Sequence, residues 1–280
     1  MSRIDEIFAR IPTTTLFHYT SLAGLLGIVG SGSLWASDVR YLNDAAEFER
    51  AVSLLRDTLT TRLRHENGPW NTFYGCLLER IGSAEHPPVF AASLSEDGDL
   101  LSQWRGYCPP GLGCSIGFDY DTLRLAIERQ EFRLVKCVYD PSIHQEVIDE
   151  LIAYGGQFVR PPFGDDAVAQ LACDRFIEKF SLIGPVLKHP SFSEEREWRL
   201  VRLSGASDNT GAKFRVGRST LIPYYAFALT AESKHVILSR VCVGPTAQMD
   251  LSTGAIRRLL AAHKVSCGEI TATSVTYRAW

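Results

Sequence analysis

The sequence predicts an α+β fold in which helices flank one β-sheet. Two observations lead to this prediction: strands outnumber helices late in the chain, and two helices are bunched together at about residues 142–184. In addition, neither a Gly-rich dinucleotide loop nor a P-loop is present, so a Rossmann fold and a P-loop fold have no support. Since no repeat or long linker divides the chain, we expect residues 1–280 to form a single α+β domain with a helical insertion at about 142–184.

Hydroxyl, acidic and glycine residues mark the ends of the predicted helices. Thr20 or Ser21 can cap the first helix, which Gly30 and Gly32 end. A longer helix is expected to begin at Asp44, which forms a capping-box-like pair with Glu47 three residues later. We interpret this pair as structural, although it could orient a neighbouring site. The later predicted helices cover residues 97–107, 143–154, 165–180 and 249–263.

Strands are predicted where short apolar runs are bounded by turn residues. The Pro87-Pro88 pair, for example, breaks the chain before the run at residues 89–94, and the Asp140-Pro141 turn ends the run at residues 132–139. The predicted strands cover residues 16–19, 34–37, 89–94, 114–118, 132–139, 195–203, 213–216, 221–225, 236–243 and 269–277.

The composition is that of an ordinary globular protein, with 45% hydrophobic and 22% charged residues, which excludes a disordered chain. The formal net charge of −3 gives no overall attraction to nucleic acid or acidic membranes, although a local basic groove stays open. Residues 1–12 are charged and do not resemble a secretory signal, and the apolar stretch at 221–231 is too short to cross a bilayer. The seven cysteines lack zinc-ligand spacing, so we expect a reduced, soluble, cytoplasmic protein without disulfides or metal.

The first candidate site residue is a histidine on the opening strand. Strand alternation sends His18 and Thr20 to one face, and Phe17 and Tyr19 to the other. A lone histidine at a strand end is usually satisfied by the surrounding protein. A functional His18 would instead donate a hydrogen bond to a ligand hydroxyl, because no second metal ligand is nearby in the sequence. Both interpretations stay open.

The second candidate cluster combines small hydroxyl residues on a strand with aromatic and polar residues on the helix that follows. Its members are Ser93, Ser95, Ser102, Trp104, Arg105 and Tyr107. Trp104 and Tyr107 share a helix face, which is typical of core packing. The polar neighbours equally suit rings that stack on a ligand.

The third candidate cluster is acidic. On a strand, Glu195, Glu197 and Arg199 would share one face. Two neighbouring carboxylates repel each other, and one pKa rises unless a cation such as Arg199 offsets the repulsion. A solvated edge with ion pairs explains this pattern as simply as a carboxylate at the mouth of a cleft.

The motifs HYT, YLND, SLSE, WRGY, EREWR, VGP and TYR, taken in order, resemble the bacterial domain-of-unknown-function family 2971. The resemblance extends from His18 to Arg278. Membership of that family does not establish an activity.

The order of these blocks is also similar to that of ADP-ribosyltransferases of the His-Tyr-Glu type, which implies a split β-sheet core. By this resemblance His18 would bind the adenosine ribose of NAD, with Tyr19 and Thr20 beside it. Tyr107 would stack on nicotinamide, and Glu197 would be the catalytic glutamate. The chain departs from the pattern at Tyr19, where a glycine is usual.

The same resemblance implies further contacts. NAD would be bound by Ser93 or Ser95, by Ser102 and Trp104, and at its pyrophosphate by Arg105 or Arg199. Glu195 would join Glu197 in the Glu-x-Glu arrangement of the arginine-modifying branch. No tyrosine lies in residues 89–94, so one wall of the nicotinamide site is left to Trp35 or Tyr41.

The resemblance therefore implies an NAD-dependent ADP-ribosyltransferase-like protein that uses NAD as substrate and needs no metal. An ionised Glu197 would stabilise the oxocarbenium-like transition state. The target would be a protein or a nucleic acid, and the setting a toxin or a phage-defence effector. One alternative is a non-catalytic nucleotide-sensing or protein-interaction module with the same cleft. A glycoside hydrolase using Glu195 and Glu197 is disfavoured, because the two carboxyls of a retaining enzyme usually lie on different strands about 5 Å apart.

Overall fold

The computed structural model describes residues 2–42, 45–66, 69–82, 87–108, 113–159, 166–204, 211–217, 219–230 and 236–276. The helices are α1 (Arg3–Phe8), α2 (Leu22–Ser31), α3 (Ala45–His65), α4 (Pro69–Gly82), α5 (Leu101–Tyr107), α6 (Tyr120–Ile127), α7 (Pro141–Gly156), α8 (Asp166–Ile183) and α9 (Met249–Ala262). The strands are β1 (Leu16–Ser21), β2 (Ser33–Asp38), β3 (Val89–Ser95), β4 (Gly113–Phe118), β5 (Arg133–Lys136), β6 (Glu197–Leu203), β7 (Lys213–Val216), β8 (Leu221–Ala228), β9 (Ile237–Val243) and β10 (Ser266–Ala272). Short 3-10 helices cover Val39–Tyr41, Gly184–Val186 and Pro190–Glu195.

All of these strands belong to one mostly antiparallel sheet with the order β10-β9-β4-β1-β3-β2-β8-β7. Strand β6 pairs with β3, and β5 pairs with β6. The pairing of β9 with β10 is parallel. This mixture of helices with a mostly antiparallel sheet agrees with the predicted α+β class.

The sheet divides at β3. One edge of β3 pairs with β6 along its whole length, from Val89 to Ser95. The other edge pairs with two strands, with β1 at Ser95 and with β2 at Phe90 and Ala91. Strands β1, β4, β9 and β10 therefore form one wing of the sheet, the β1 wing. Strands β2, β8 and β7 form the other, the β2 wing. Residues 92–94 lie where the wings diverge.

Helices cover both faces of the sheet. On one face, α1, α3, α4, α7 and α8 form an apolar core that includes Val89 and Ala91 of β3. On the other face, α2, α6 and α9 form a second core that includes Phe90 and Leu94. Adjacent β3 residues therefore contribute to opposite cores, as strand alternation requires.

Three helices were not predicted from the sequence: α1, α4 and α6. Helix α4 shows the reason most clearly. Its buried residues Phe73, Leu77 and Ile81 recur every four positions, as in an amphipathic helix. Gly75 lies inside the same segment and costs about 1 kcal/mol relative to alanine. Packing against α3 and α8 outweighs that local preference.

Several predicted boundaries are wrong. The strand predicted at 195–203 begins only at Glu197, because Pro190–Glu195 is a 3-10 helix. The strand predicted at 132–139 is limited to Arg133–Lys136. The last strand is Ser266–Ala272 rather than 269–277, and residue 277 lies outside the described residues.

The helical segment expected at about 142–184 is occupied by α7 and α8. Asp44, the predicted cap of α3, lies outside the described residues, and the side chain of Glu47 is not described either. Among the described helices, none has the length and apolar character needed to cross a membrane.

Candidate functional site

A cavity of about 1060 Å³ opens where the two wings diverge from β3. It is lined by residues 91–95 of β3, by the end of β1 and the start of α2, and by side chains of the β2 wing. Glu197 of β6 and Glu195 of the preceding 3-10 helix also line it. Its size is comparable to that of pockets that hold small ligands.

Glu197 lines the cavity although it is only 3% exposed. Its Oε1 accepts a hydrogen bond from Arg199 Nε at 2.7 Å. Its Oε2 accepts from Lys188 Nζ at 2.6 Å and from Arg199 Nη2 at 3.2 Å. Burial alone would raise the pKa of Glu197, but the charges of Arg199 and Lys188 outweigh it and lower the pKa to about 2. Glu197 is therefore ionised at neutral pH.

A fully buried lysine links the two glutamates. Lys188 Nζ is 2.5 Å from Glu195 Oε2 and 2.6 Å from Glu197 Oε2. Arg199 is anchored separately, because its Nη1 donates to Pro185 O at 2.6 Å. We call these four residues, Lys188, Glu195, Glu197 and Arg199, the buried charge cluster.

The backbone between the two glutamates adopts a conformation that non-glycine residues rarely take. Arg196 has φ 42° and ψ 50° in the left-handed region. This residue lies between the end of the 3-10 helix and the start of β6, so Glu195 lies off the strand yet contacts the same lysine as Glu197. The sequence interpretation that placed both glutamates on one strand is thus wrong, although their proximity is real.

His18 lies in the gap between the wings. Its Nδ1 is 3.0 Å from Ser93 O. Because a carbonyl oxygen only accepts, Nδ1 carries the proton and Nε2 is left as an acceptor. Burial lowers the pKa of His18, so the neutral ring is favoured. A ligand hydroxyl would therefore donate to His18, which reverses the direction expected from the sequence.

Two aromatic candidates are held in the protein core. Tyr19 donates to Asp97 O at 2.9 Å and accepts from Leu100 N at 2.8 Å. Its ring meets Trp104 edge-on, with centroids 4.7 Å apart. Trp104 is 1% exposed, and its Nε1 donates to Asp99 at 2.9 Å. The expectation that Trp104 stacks on a ligand is wrong, because both faces of its ring are buried.

The predicted site residues divide into those that line the cavity and those that do not. His18, Tyr19, Thr20, Ser93, Ser95, Tyr107, Glu195 and Glu197 line the cavity. Ser102, Trp104, Arg105 and Arg199 do not line it. Ser102 and Arg105 are exposed on α5, whereas Arg199 is buried and donates hydrogen bonds to Glu197, which does line the cavity. Trp35 and Tyr41, the suggested substitutes for one aromatic wall, both line the cavity.

Sequence reasoning missed several residues of this site. Lys188 follows an apolar run and has no partner at a recognisable spacing, so no local signal marks it. Gln103 is buried and lines the cavity. The sequence pattern selected its neighbours on α5 as candidate site residues but not Gln103 itself. Arg215 and Ser37 come from distant strands that the sheet brings together, with Arg215 Nη2 3.2 Å from Ser37 Oγ.

The described residues contain no group of three or more His, Cys, Asp or Glu side chains that could hold a metal ion. The cavity instead offers hydrogen-bonding groups, aromatic rings and the start of α2. Ser21 caps that helix, and its side chain accepts from Gly24 N at 3.0 Å. Such an arrangement suits a polar, ring-containing organic ligand.

Comparison with protein families gives a match. Residues 103–200 match the family described as "Protein of unknown function (DUF2971)". The matched segment covers about a third of the chain, from α5 into β6, and includes the whole buried charge cluster but not His18. A comparison with curated proteins found no match. The family description assigns no activity, so the function has to be argued from the cavity.

Replacing Lys188 with methionine is expected to destabilise the protein by about 3–5 kcal/mol, because the buried carboxylate of Glu197 and the partly buried one of Glu195 lose their shared cation. Urea unfolding of the purified variant measures this loss. Lys136→Met is the matched control, since Lys136 pairs with Glu96 in a partly exposed position and its loss should cost about 1 kcal/mol or less. Equal losses for the two variants would contradict the proposed importance of the buried pairing.

The low pKa of Glu197 predicts a specific dependence of stability on pH. A glutamate with a pKa near 4.3 when unfolded and about 2 when folded stabilises the native state above the unfolded pKa. This contribution should fall as the pH drops from about 5 toward 2. We therefore expect the difference in unfolding free energy between wild type and Glu197→Gln to be constant above about pH 5 and to shrink below it. A difference that stays constant down to about pH 3 would contradict the assignment.

Proposed function

We propose that the protein is an NAD-dependent ADP-ribosyltransferase-like enzyme. One observation carries the proposal: His18 and Glu197, on separate strands of a divided sheet, line the same cavity together with Tyr107. This set contains a hydroxyl-binding imidazole, an aromatic ring and an ionised carboxylate. These are the groups that the resemblance assigns to NAD binding and to its cleavage.

The reaction would proceed at the ribose carbon that carries nicotinamide. The bond from this carbon to the ring nitrogen breaks, and its electron pair leaves with neutral nicotinamide. The ribose then has oxocarbenium character, which an ionised Glu197 stabilises while it accepts a hydrogen bond from the 2′-hydroxyl. A lone pair of the acceptor forms the new bond to the same carbon, and the acceptor releases one proton to solvent.

The hydrogen bonds of Glu197 leave room for this contact. A carboxylate has about four lone-pair sites. Among the described residues, Lys188 and Arg199 occupy two on Oε2 and Arg199 occupies one on Oε1. The remaining site on Oε1 can accept the ribose hydroxyl. Lys188 and Arg199 would hold the carboxylate in place rather than contact NAD.

The rest of NAD can be matched to neighbouring groups. Nε2 of His18 would accept a hydrogen bond from the other ribose. The start of α2, where Gly24 and Ala23 line the cavity, would lie near the phosphates, since helix N-termini favour anions. The ring of Tyr107 would stack on nicotinamide, which is cationic before cleavage. A role as a toxin or phage-defence effector would follow if the acceptor is an essential macromolecule.

A second candidate function is a nucleotide-sensing module without catalysis. The specific observation that favours it is the double pairing of Glu197, because two adjacent cations reduce the negative potential that the carboxylate offers to a developing positive charge. A glycoside hydrolase with Glu197 as its general acid receives no support, because the lowered pKa of Glu197 is the opposite of what that role needs.

Glu197→Gln is expected to slow nicotinamide release from NAD by about 100-fold or more, since it removes the charge that stabilises the transition state. Release is measured by chromatography of reactions that contain labelled NAD and cell lysate. Glu178→Gln, which changes an exposed glutamate on α8, is the matched control and should leave the rate unchanged.

A thermal-shift titration with NAD separates the two candidate functions. Both predict that NAD raises the melting temperature of the wild type, because a ligand of the native state stabilises it. Only the enzyme also releases nicotinamide. If wild type and Glu197→Gln are equally inert toward NAD in the presence of lysate proteins and nucleic acids, the transferase proposal is wrong.

A further inference from the structure

We propose that the β2 wing carries a binding surface for single-stranded nucleic acid beside the cavity. The surface, which we call the wing face, consists of Trp35, Ser37, Lys213, Arg215, Ile222 and Tyr224. Strand pairing places these side chains together, because Ser37 and Lys213 are both register partners of Tyr224, and Arg215 is the partner of Ile222. Directly paired residues point to the same face of a sheet. Trp35 joins them because it lies two positions before Ser37.

The centre of the wing face is an aromatic platform. Trp35 stacks on Tyr224 with ring centroids 4.7 Å apart and an interplanar angle of 30°. Tyr224 is buried, whereas Trp35 is 43% exposed, although tryptophan usually buries most of its surface. Tyr224 therefore fixes the orientation of the indole while part of it stays open. A fixed, open indole suits a planar heteroaromatic ring such as a nucleobase.

Cations border this platform. Lys213 is exposed at the edge strand β7. Arg215 reaches across β8 and donates from Nη2 to Ser37 Oγ at 3.2 Å, which places its guanidinium over the wing face. Among the described residues of β2, β7 and β8, the acidic side chain is Asp38, whose buried carboxylate is paired with Arg40 at 2.6 Å. The positive charges of Lys213 and Arg215 are therefore not offset on these strands.

An aromatic platform bordered by cations matches a nucleotide unit, in which a base stacks and a phosphate pairs with a guanidinium. We assign the wing face to a strand rather than to a free nucleotide because it is an open sheet surface that ends at an edge strand. The strand must be single, since a paired base cannot expose its ring face to Trp35. Trp35, Ser37 and Arg215 also line the cavity, so a bound strand would lie at its mouth.

This inference goes beyond the proposed function and does not depend on it, because binding can be measured without NAD. The probe is a fluorescein-labelled single strand of about 12 nucleotides, as RNA and as DNA, within the usual site size of such surfaces. Fluorescence anisotropy gives its dissociation constant at about 50 and 200 mM salt. We expect binding of at least one strand type, with an affinity that falls as salt rises.

Three variants and one control test the residues that carry the inference. Trp35→Ala should weaken binding by about tenfold or more, the loss expected for one stacked base, whereas Trp35→Phe should retain most of the affinity. Arg215→Ala should weaken binding and reduce the slope of log affinity against log salt by about one. Arg175→Ala, which removes an exposed arginine on α8, should bind like the wild type. Circular dichroism verifies that each variant is folded.

Three results would overturn the inference. One is the absence of binding by wild type to both strand types. Another is equal affinity of Trp35→Ala, Arg215→Ala and wild type. The third is binding of adenosine monophosphate as tight as that of the strand and equally weakened by Trp35→Ala, which would assign the platform to a free nucleotide. Nicotinamide release without strand binding would leave the proposed function intact, and strand binding without NAD cleavage would leave this inference intact.

Discussion

The pairing of Glu197 with Lys188 and Arg199 is the interaction on which the site depends. Burying charges is costly, and it is tolerated only when each charge has well-placed partners. Here two carboxylates and two cations balance each other inside the protein. The left-handed backbone at Arg196 is part of this arrangement, because it brings Glu195 off the strand and onto the same lysine. Strain of this kind persists only where the surrounding structure enforces it. The result is a carboxylate that is ionised, immobile and still in contact with the cavity.

The second constraint is the division of the sheet at β3. Because two diverging strands share one edge of β3, part of the β3 backbone has no neighbouring strand on that side. A buried carbonyl there needs another hydrogen-bond donor. Ser93 O meets this need by accepting from His18 Nδ1 at 3.0 Å. The same hydrogen bond fixes the tautomer of His18. The division of the sheet thus creates the space for a ligand and determines that His18, which lines this space, accepts hydrogen bonds through Nε2.

The sequence was most informative where a local pattern decides the structure. Strand alternation and capping residues located β1, α2 and most of β3, and the ordered motifs selected His18, Tyr107 and Glu197. Trp104 was misassigned because a helix stripe does not reveal which of its rings the neighbouring strand covers, and here Tyr19 covers Trp104. Lys188 was not predicted for a related reason, namely that its contacts depend on tertiary structure. Its partners Glu195 and Glu197 lie seven and nine positions away in the sequence. A 3-10 helix that the sequence pattern did not predict brings them to Lys188.

The most direct test of the account is a crystal structure of the protein soaked with an NAD analogue whose ribose–nicotinamide link cannot be cleaved. The account predicts density for the dinucleotide in the cavity between the two wings. One ribose should lie within hydrogen-bonding distance of Glu197 Oε1, and the other near Nε2 of His18. An empty cavity at saturating analogue, or an analogue bound elsewhere on the molecule, would contradict it.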